Sequence, residues 1–199
     1  MHLNNILLPL TITSLTTANT LKQHVVFIEC DKSESQMAQA AVTSAGEMAA
    51  KVAASIRANN VTSLFQTFFE TTNSTSTNHV VEILEEIAQE AFQQGSGLVT
   101  YSCQPDSITC QSGSFTQTGY ASMDGYRGQA SDDYSVLDQW MSSLHELCHT
   151  KGVLGYEVYG YSNVLGLDSQ TALKNAENYA FFSKFRVIWV KLGKPGWYR

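Results

Sequence analysis

Two histidines and a glutamate stand in the stretch SSLHELCHTKG, residues 142–152, in the order His145-Glu146-x-x-His149. Residues four apart on a helix project from the same face. Both imidazoles can therefore reach one ion at ~2.0–2.1 Å, the distance zinc takes with histidine nitrogen. Glu146 is turned from that pair by about 100°, yet lies close enough to act as a general base on a water at the ion. The chemistry this spacing suits is hydrolysis by an activated water. Two imidazoles alone bind weakly, because a catalytic zinc takes three protein ligands and leaves one position for water. The plain alternative is a helix whose histidines are half-buried partners of core groups.

The elements that must position these residues follow from periodicity. Over residues 134–150, Leu137, Trp140, Met141, Leu144 and Cys148 form one apolar stripe, with both histidines beside it. That stripe is the core-facing side of a helix, and the acidic SDD at residues 131–133 is a good start for it. Upstream, HVVFIE at residues 24–29 reads as a strand closed by Cys30. Ser33 and Gln36 form a capping-box pattern that opens a long Ala-rich helix to about residue 57. Asn59 and Asn60 end it. A short helix over 61–70, a polar loop over 71–78 and a helix over 80–94 stopped by Gly95 come next. Residues 97–103 and 118–123 read as strands. Asp168 caps a final helix that starts near residue 168 or 169. Helices packed on a small sheet make one α+β domain.

The 199 residues, 43% hydrophobic and 15% charged, suffice for one sizeable core. The net charge of −6 argues against a nucleic-acid surface and favours cationic partners. Residues 1–20 carry no charged side chain and an apolar run from Ile6 to Ile12, the pattern of a secretory signal peptide with cleavage near Ala18 to Thr20. No later run approaches the ~20 apolar residues that span a bilayer. The domain, residues 21–199, is expected outside the cell, where the Asn60 and Asn73 sequons would be usable. Cys30, Cys103, Cys110 and Cys148 suit that oxidising compartment as disulfide staples with three possible connectivities.

HELCH, the YGY at residues 159–161 and LKNAENYAFF at residues 173–182 together resemble the fungal deuterolysins, the aspzincin metallopeptidases, which include peptidyl-lysine endopeptidases. The cysteine before the long helix and the YSCQPDSITC pair at residues 101–110 are similar to the family arrangement as well. The resemblance implies a zincin-like domain with the motif on a central helix, one zinc ion per chain and protein or peptide substrates. It implies His145 and His149 as zinc ligands, Glu146 as general base and Tyr159 as the tyrosine that steadies the oxyanion. The family places an aspartate ligand in G-T-x-D-x-x-Y-G. Here that position holds Tyr156, and the neighbouring carboxylate is Glu157. Glu157 is the first choice for third ligand, since it lies in the short loop after the histidine helix. Glu177, in the aspartate place of the family's N-A-D, is the other candidate; the resemblance implies that this position shapes the pocket or supports the ligands from behind, and in the lysine-specific members binds substrate by selecting cationic side chains. Family-like pairing joins Cys30 to Cys103 and leaves Cys110 and Cys148, which could bond to pin the motif helix to the sheet or stay as buried thiols.

The resulting expectation is a secreted, monomeric zinc metalloendopeptidase favouring basic substrates, with no nucleic-acid or membrane partner. The second reading is a secreted effector or antigen of the same fold, whose zinc site binds metal or a partner without working as an enzyme.

Overall fold

The computed structural model describes residues 26–92, 99–103, 139–155 and 157–192. The expected leader, the strand over 118–123, Cys110 and the first turns of the motif helix lie outside them. In chain order the elements are β1 (Val26–Ile28), α1 (Lys32–Arg57), α2 (Thr62–Phe69), α3 (Ser74–Phe92), β2 (Thr100–Ser102), α4 (Gln139–Thr150), α5 (Tyr161–Val164), α6 (Ser169–Ala172) and α7 (Ala176–Leu192). The α+β class holds, with helices dominating and one small sheet among the described residues.

β1 and β2 pair in parallel, Val26 opposite Thr100 and Ile28 opposite Ser102. Directly beyond that pair Cys30 and Cys103 form a disulfide with Cα atoms 4.9 Å apart, closing a separation of 73 residues. A two-stranded sheet is marginal alone. A cross-link closing so long a loop removes enough freedom from the unfolded chain to stabilise by about 2–4 kcal/mol.

α1 opens two residues before the expected box. Asp31 is the N-cap, its Oδ1 accepting from Glu34 N–H at 2.8 Å while Glu34 Oε2 accepts from Asp31 N–H at 2.8 Å. Carboxylates win these positions over Ser33 and Gln36 because charged acceptors make stronger bonds at the positive end of the helix. α3 likewise starts at Ser74, inside the stretch read as loop. Asn73 Oδ1 accepts from Ser76 N–H at 2.8 Å, so a cap drew polar residues into the first turn.

α1 packs on α3, and α4 lies against α1, α3 and α7. Met141, Leu144 and Cys148 of α4 are buried in that core, as the stripe predicts, and Leu147, outside the stripe, joins them. Beside them α2 meets α7 through aromatic rings: Phe69 lies 5.2 Å from Tyr179 and 5.3 Å from Phe182, both edge to face. Such pairs add about 0.5–1.5 kcal/mol each beyond their burial. Fully buried Asn178 of α7 donates to the carbonyls of Phe68 and Val164 at 2.6 and 3.2 Å, fastening α7 to the ends of α2 and α5. Among the described residues no helix is long and apolar enough to cross a membrane.

The end of α4 has a Schellman motif. Gly152 takes φ +88°, its N–H bonds His149 O at 3.2 Å, and Val153 N–H bonds Cys148 O at 3.1 Å. Val153 is then buried against the core, the apolar contact that accompanies this cap. Of the two alternatives open to Cys148, disulfide partner or buried thiol, the structure has the second: it is free and fully buried, because the core stripe carries it inside, and burial pushes its pKa well up and makes it inert. The helix expected from residue 168 is two: Asp168 does cap α6, accepting from the N–H groups of Gln170 and Thr171, but α6 stops at Ala172 and α7 begins anew at Ala176.

Peptide mapping without reduction is expected to recover a Cys30–Cys103 linked peptide, with Cys148 alkylated only after unfolding; labelling of Cys148 in the native protein contradicts this placement. Gly152→Ala should lower stability by about 1–2 kcal/mol in urea titration, since φ there is left-handed although space for a methyl exists. An unchanged midpoint would remove the cap from the account.

Candidate metal centre

α4 presents His145 and His149 from one face into a nearly closed site, their side chains 6% and 9% exposed. Each ring is held from behind by its Nδ1. His145 Nδ1 lies 3.0 Å from Glu177 Oε2, and His149 Nδ1 lies 2.8 Å from Val153 O, the carbonyl that the Schellman turn delivers. Both partners are acceptors, so in the neutral rings Nδ1 carries the proton and Nε2 bears the lone pair. The two Nε2 atoms then face each other at 3.3 Å. Two lone pairs at that distance repel unless a cation sits between them.

Glu157 completes the set. Its Oε2 is 3.8 Å from His145 Nε2 and its Oε1 is 3.9 Å from His149 Nε2. One ligand atom from each of the three residues lies within 4.8 Å of the others. Glu157 Oε2 is also buried with no hydrogen-bond partner. A desolvated carboxylate oxygen left unpaired is costly, and its position beside two imidazole lone pairs is the pattern a metal ion would satisfy. The separation fits: two nitrogens at ~2.0–2.1 Å from a tetrahedral zinc stand about 3.3 Å apart. His145, His149 and Glu157 are thus the residues that could hold the ion.

The electrostatics agree. Burial alone would lower the pKa of His145, but the hydrogen bond it donates to Glu177 and the charges of Glu146, Glu177 and Glu157 outweigh it and raise it. The same field that favours a proton there favours any cation. Glu146, half-buried next to the pair, has its pKa raised by burial, with the histidines pulling it back. Tyr159 stacks on His145 with ring centroids 5.8 Å apart and is 59% exposed, so its hydroxyl is open to a substrate. Burial, and behind it the carboxylates of Glu157, Glu146 and Glu177, raise its pKa and keep it a donor.

Of the roles the resemblance leaves to Glu177, the structure has the one behind a histidine and not the substrate-binding one. Glu177 is 1% exposed, with one oxygen on His145 and the other accepting from Gly160 N–H at 3.3 Å. That placement orients a histidine, the carboxylate–histidine arrangement common behind zinc ligands, and offers nothing to a substrate side chain. Sequence reasoning missed two other supports. Buried Glu90 accepts from Lys151 Nζ at 2.9 Å and from Val99 N–H at 3.1 Å, tying the end of α4 to α3 and the approach to β2. Its signal was visible: Glu90 falls three residues after Ile87, on the apolar face of α3. Asn175, which joins α7 to the Glu157 loop, carries no such mark.

Comparison with known proteins agrees with this arrangement. The family model described as deuterolysin metalloprotease (M35) matches residues 11–191. A neutral protease 2 homolog of Neosartorya fischeri is 31% identical over 146 residues, 67% of this chain and 40% of the relative. One of Aspergillus fumigatus is 28% identical over 165 residues, 77% of this chain and 46% of the relative. Penicillolysin of Penicillium citrinum is 32% identical over 130 residues, 55% of this chain and 35% of the relative. The chain spans less than half the length of these curated relatives. With a family match running through nearly all of its residues and a two-histidine, one-carboxylate cluster at its heart, the chain belongs to the deuterolysin metalloprotease (M35) family.

Proposed function

We propose that this protein is a secreted zinc metalloendopeptidase, with one ion held by His145, His149 and Glu157. The observation that carries this reading is the buried, unpaired Glu157 Oε2 beside two imidazole nitrogens whose own Nδ1 atoms are already engaged. Glu157 is favoured over Glu177 as third ligand because both Glu177 oxygens are in use behind His145 and at Gly160.

Zinc, when bound, acidifies an adjacent water and polarises the scissile carbonyl. Glu146, one residue along the helix from His145, takes the proton from the attacking water and returns it to the leaving amine. The exposed Tyr159 hydroxyl donates a hydrogen bond to the carbonyl oxygen as charge develops on it, an oxyanion-hole role that a group outside the ligand set can fill. His145 is kept in its orientation by Glu177, and His149 by Val153 O. Secretion is supported by the uncharged apolar leader over residues 1–20 and by the Cys30–Cys103 bond. A preference for basic substrates rests on the net charge of −6 alone, since Glu177 turns inward.

Purified protein is expected to carry about one zinc and to cleave a basic protein such as protamine. Glu146→Gln should keep the zinc and lose about 10²–10⁴-fold in rate, the usual contribution of general acid–base catalysis. A parent that holds zinc and cleaves nothing refutes the enzyme and leaves the effector or antigen reading. Chelation should lower the melting temperature and zinc should restore it, because an ion that binds only the folded state stabilises it by about 2.7 kcal/mol at a hundred times its Kd. No shift on chelation would contradict a zinc centre.

A further inference from the structure

The geometry points to Asn175 as the positioning residue that sets both Glu157 and Tyr159, through the backbone of the residue between them. Its carboxamide pairs with Val158 as a neighbouring strand would. Val158 N–H donates to Oδ1 at 3.1 Å, and Nδ2 donates to Val158 O at 3.0 Å. The remaining Nδ2 hydrogen goes to Asn178 Oδ1 at 2.7 Å, and Asn178 is itself fastened to Phe68 O and Val164 O. Asn175 is fully buried, so each of these bonds is made in the absence of competing water.

Val158 stands between Glu157 and Tyr159. Fixing both of its backbone groups fixes the direction in which each flanking side chain leaves the loop. The first N–H of α7 continues the pattern: Ala176 N–H reaches Glu157 Oε1 at 3.5 Å, while Oε2 is left unpaired beside His145. Gly160 N–H on Glu177 Oε1 ties the far end of the loop to the same helix turn. Gly155, at the near end, lies so close to Lys174 that a Cβ would sit 2.5 Å from the Lys174 carbonyl oxygen. The loop thus rests on residues 174–177 along its length, with Asn175 at the centre.

This inference rests on the zinc reading, and the test separates the two. Asn175→Asp keeps the shape and can still accept from Val158 N–H, but has no donor for Val158 O. Zinc Kd, measured by competition with a chromophoric chelator, should rise ~10–100-fold in Asn175→Asp, the range seen when the residue behind a ligand is lost. In a Glu157→Gln background the same change should cost less than ~2-fold, because the ligand that Asn175 positions is already gone. An unchanged Kd in the single variant, or an equal loss in both backgrounds, overturns the proposal. Hydrogen exchange on the unmutated, zinc-free protein supplies a check that needs no variant to fold. A Val158 amide already protected before zinc is added supports a preset loop, and free exchange there refutes it. A parent that binds no zinc overturns the metal reading and this proposal with it.

Discussion

Three glutamates, Glu146, Glu157 and Glu177, surround two imidazoles in a place that water reaches poorly. Such a cluster is stable only if positive charge occupies its centre. Much of the surrounding structure makes sense as the means of holding that concentration of negative charge together. The carboxylates cannot drift apart into solvent, because each is attached to an element packed into the core, and the imidazole nitrogens cannot turn away, because each ring is bonded from behind. The cost of assembling these groups is offset by tertiary packing, chiefly the aromatic contacts of α2 with α7 and the burial of the α4 stripe beside the site.

The positioning is done largely by helix ends. The C-terminal turn of α4 supplies Val153 O to His149, the N-terminal turn of α7 supplies Ala176 N–H and the Glu177 side chain, and the short stretch between α4 and α5 carries Glu157 and Tyr159. Helix termini have unpaired backbone groups to offer. Here those groups are directed at the site instead of at capping side chains. On the proposed zinc reading a glutamate would serve where the family pattern holds an aspartate one residue earlier. Its additional methylene would let a carboxylate beside the fixed Val158 backbone extend to the histidines, while Glu177, in the family's other acidic place, reaches behind His145.

What the sequence made legible were features written as periodicity. The burial of Met141, Leu144 and Cys148 along α4 and the i, i+4 histidines follow from helical spacing, and the structure has them where that spacing puts them. The boundaries were less legible, because caps are decided by single bonds. Asp31 and Glu34 outcompeted Ser33 and Gln36, and Asn73 drew a polar stretch into α3. The break between α6 and α7 was hidden for a different reason. Asn175 makes its bonds to Val158 across the fold, and no local pattern announces a tertiary partner. The Cys30–Cys103 bond agreed with the family-like pairing, whereas Cys148 was free because its place on the core stripe outweighed the even cysteine count. Glu177 was found by its position, but which of its possible roles it takes was not legible, since burial and hydrogen-bond partners are three-dimensional facts.

On the proposed reading, one zinc ion sits between α4 and the loop that joins α4 to α5, with Glu157 as its carboxylate ligand. Anomalous diffraction at the zinc edge, from crystals grown with one equivalent of the metal, addresses it without reference to activity. The account predicts a single peak ~2.0–2.2 Å from His145 Nε2, His149 Nε2 and a Glu157 oxygen, with Glu177 still bonded to His145 Nδ1. A peak ligated by Glu177, or no peak between the two histidines, would contradict it.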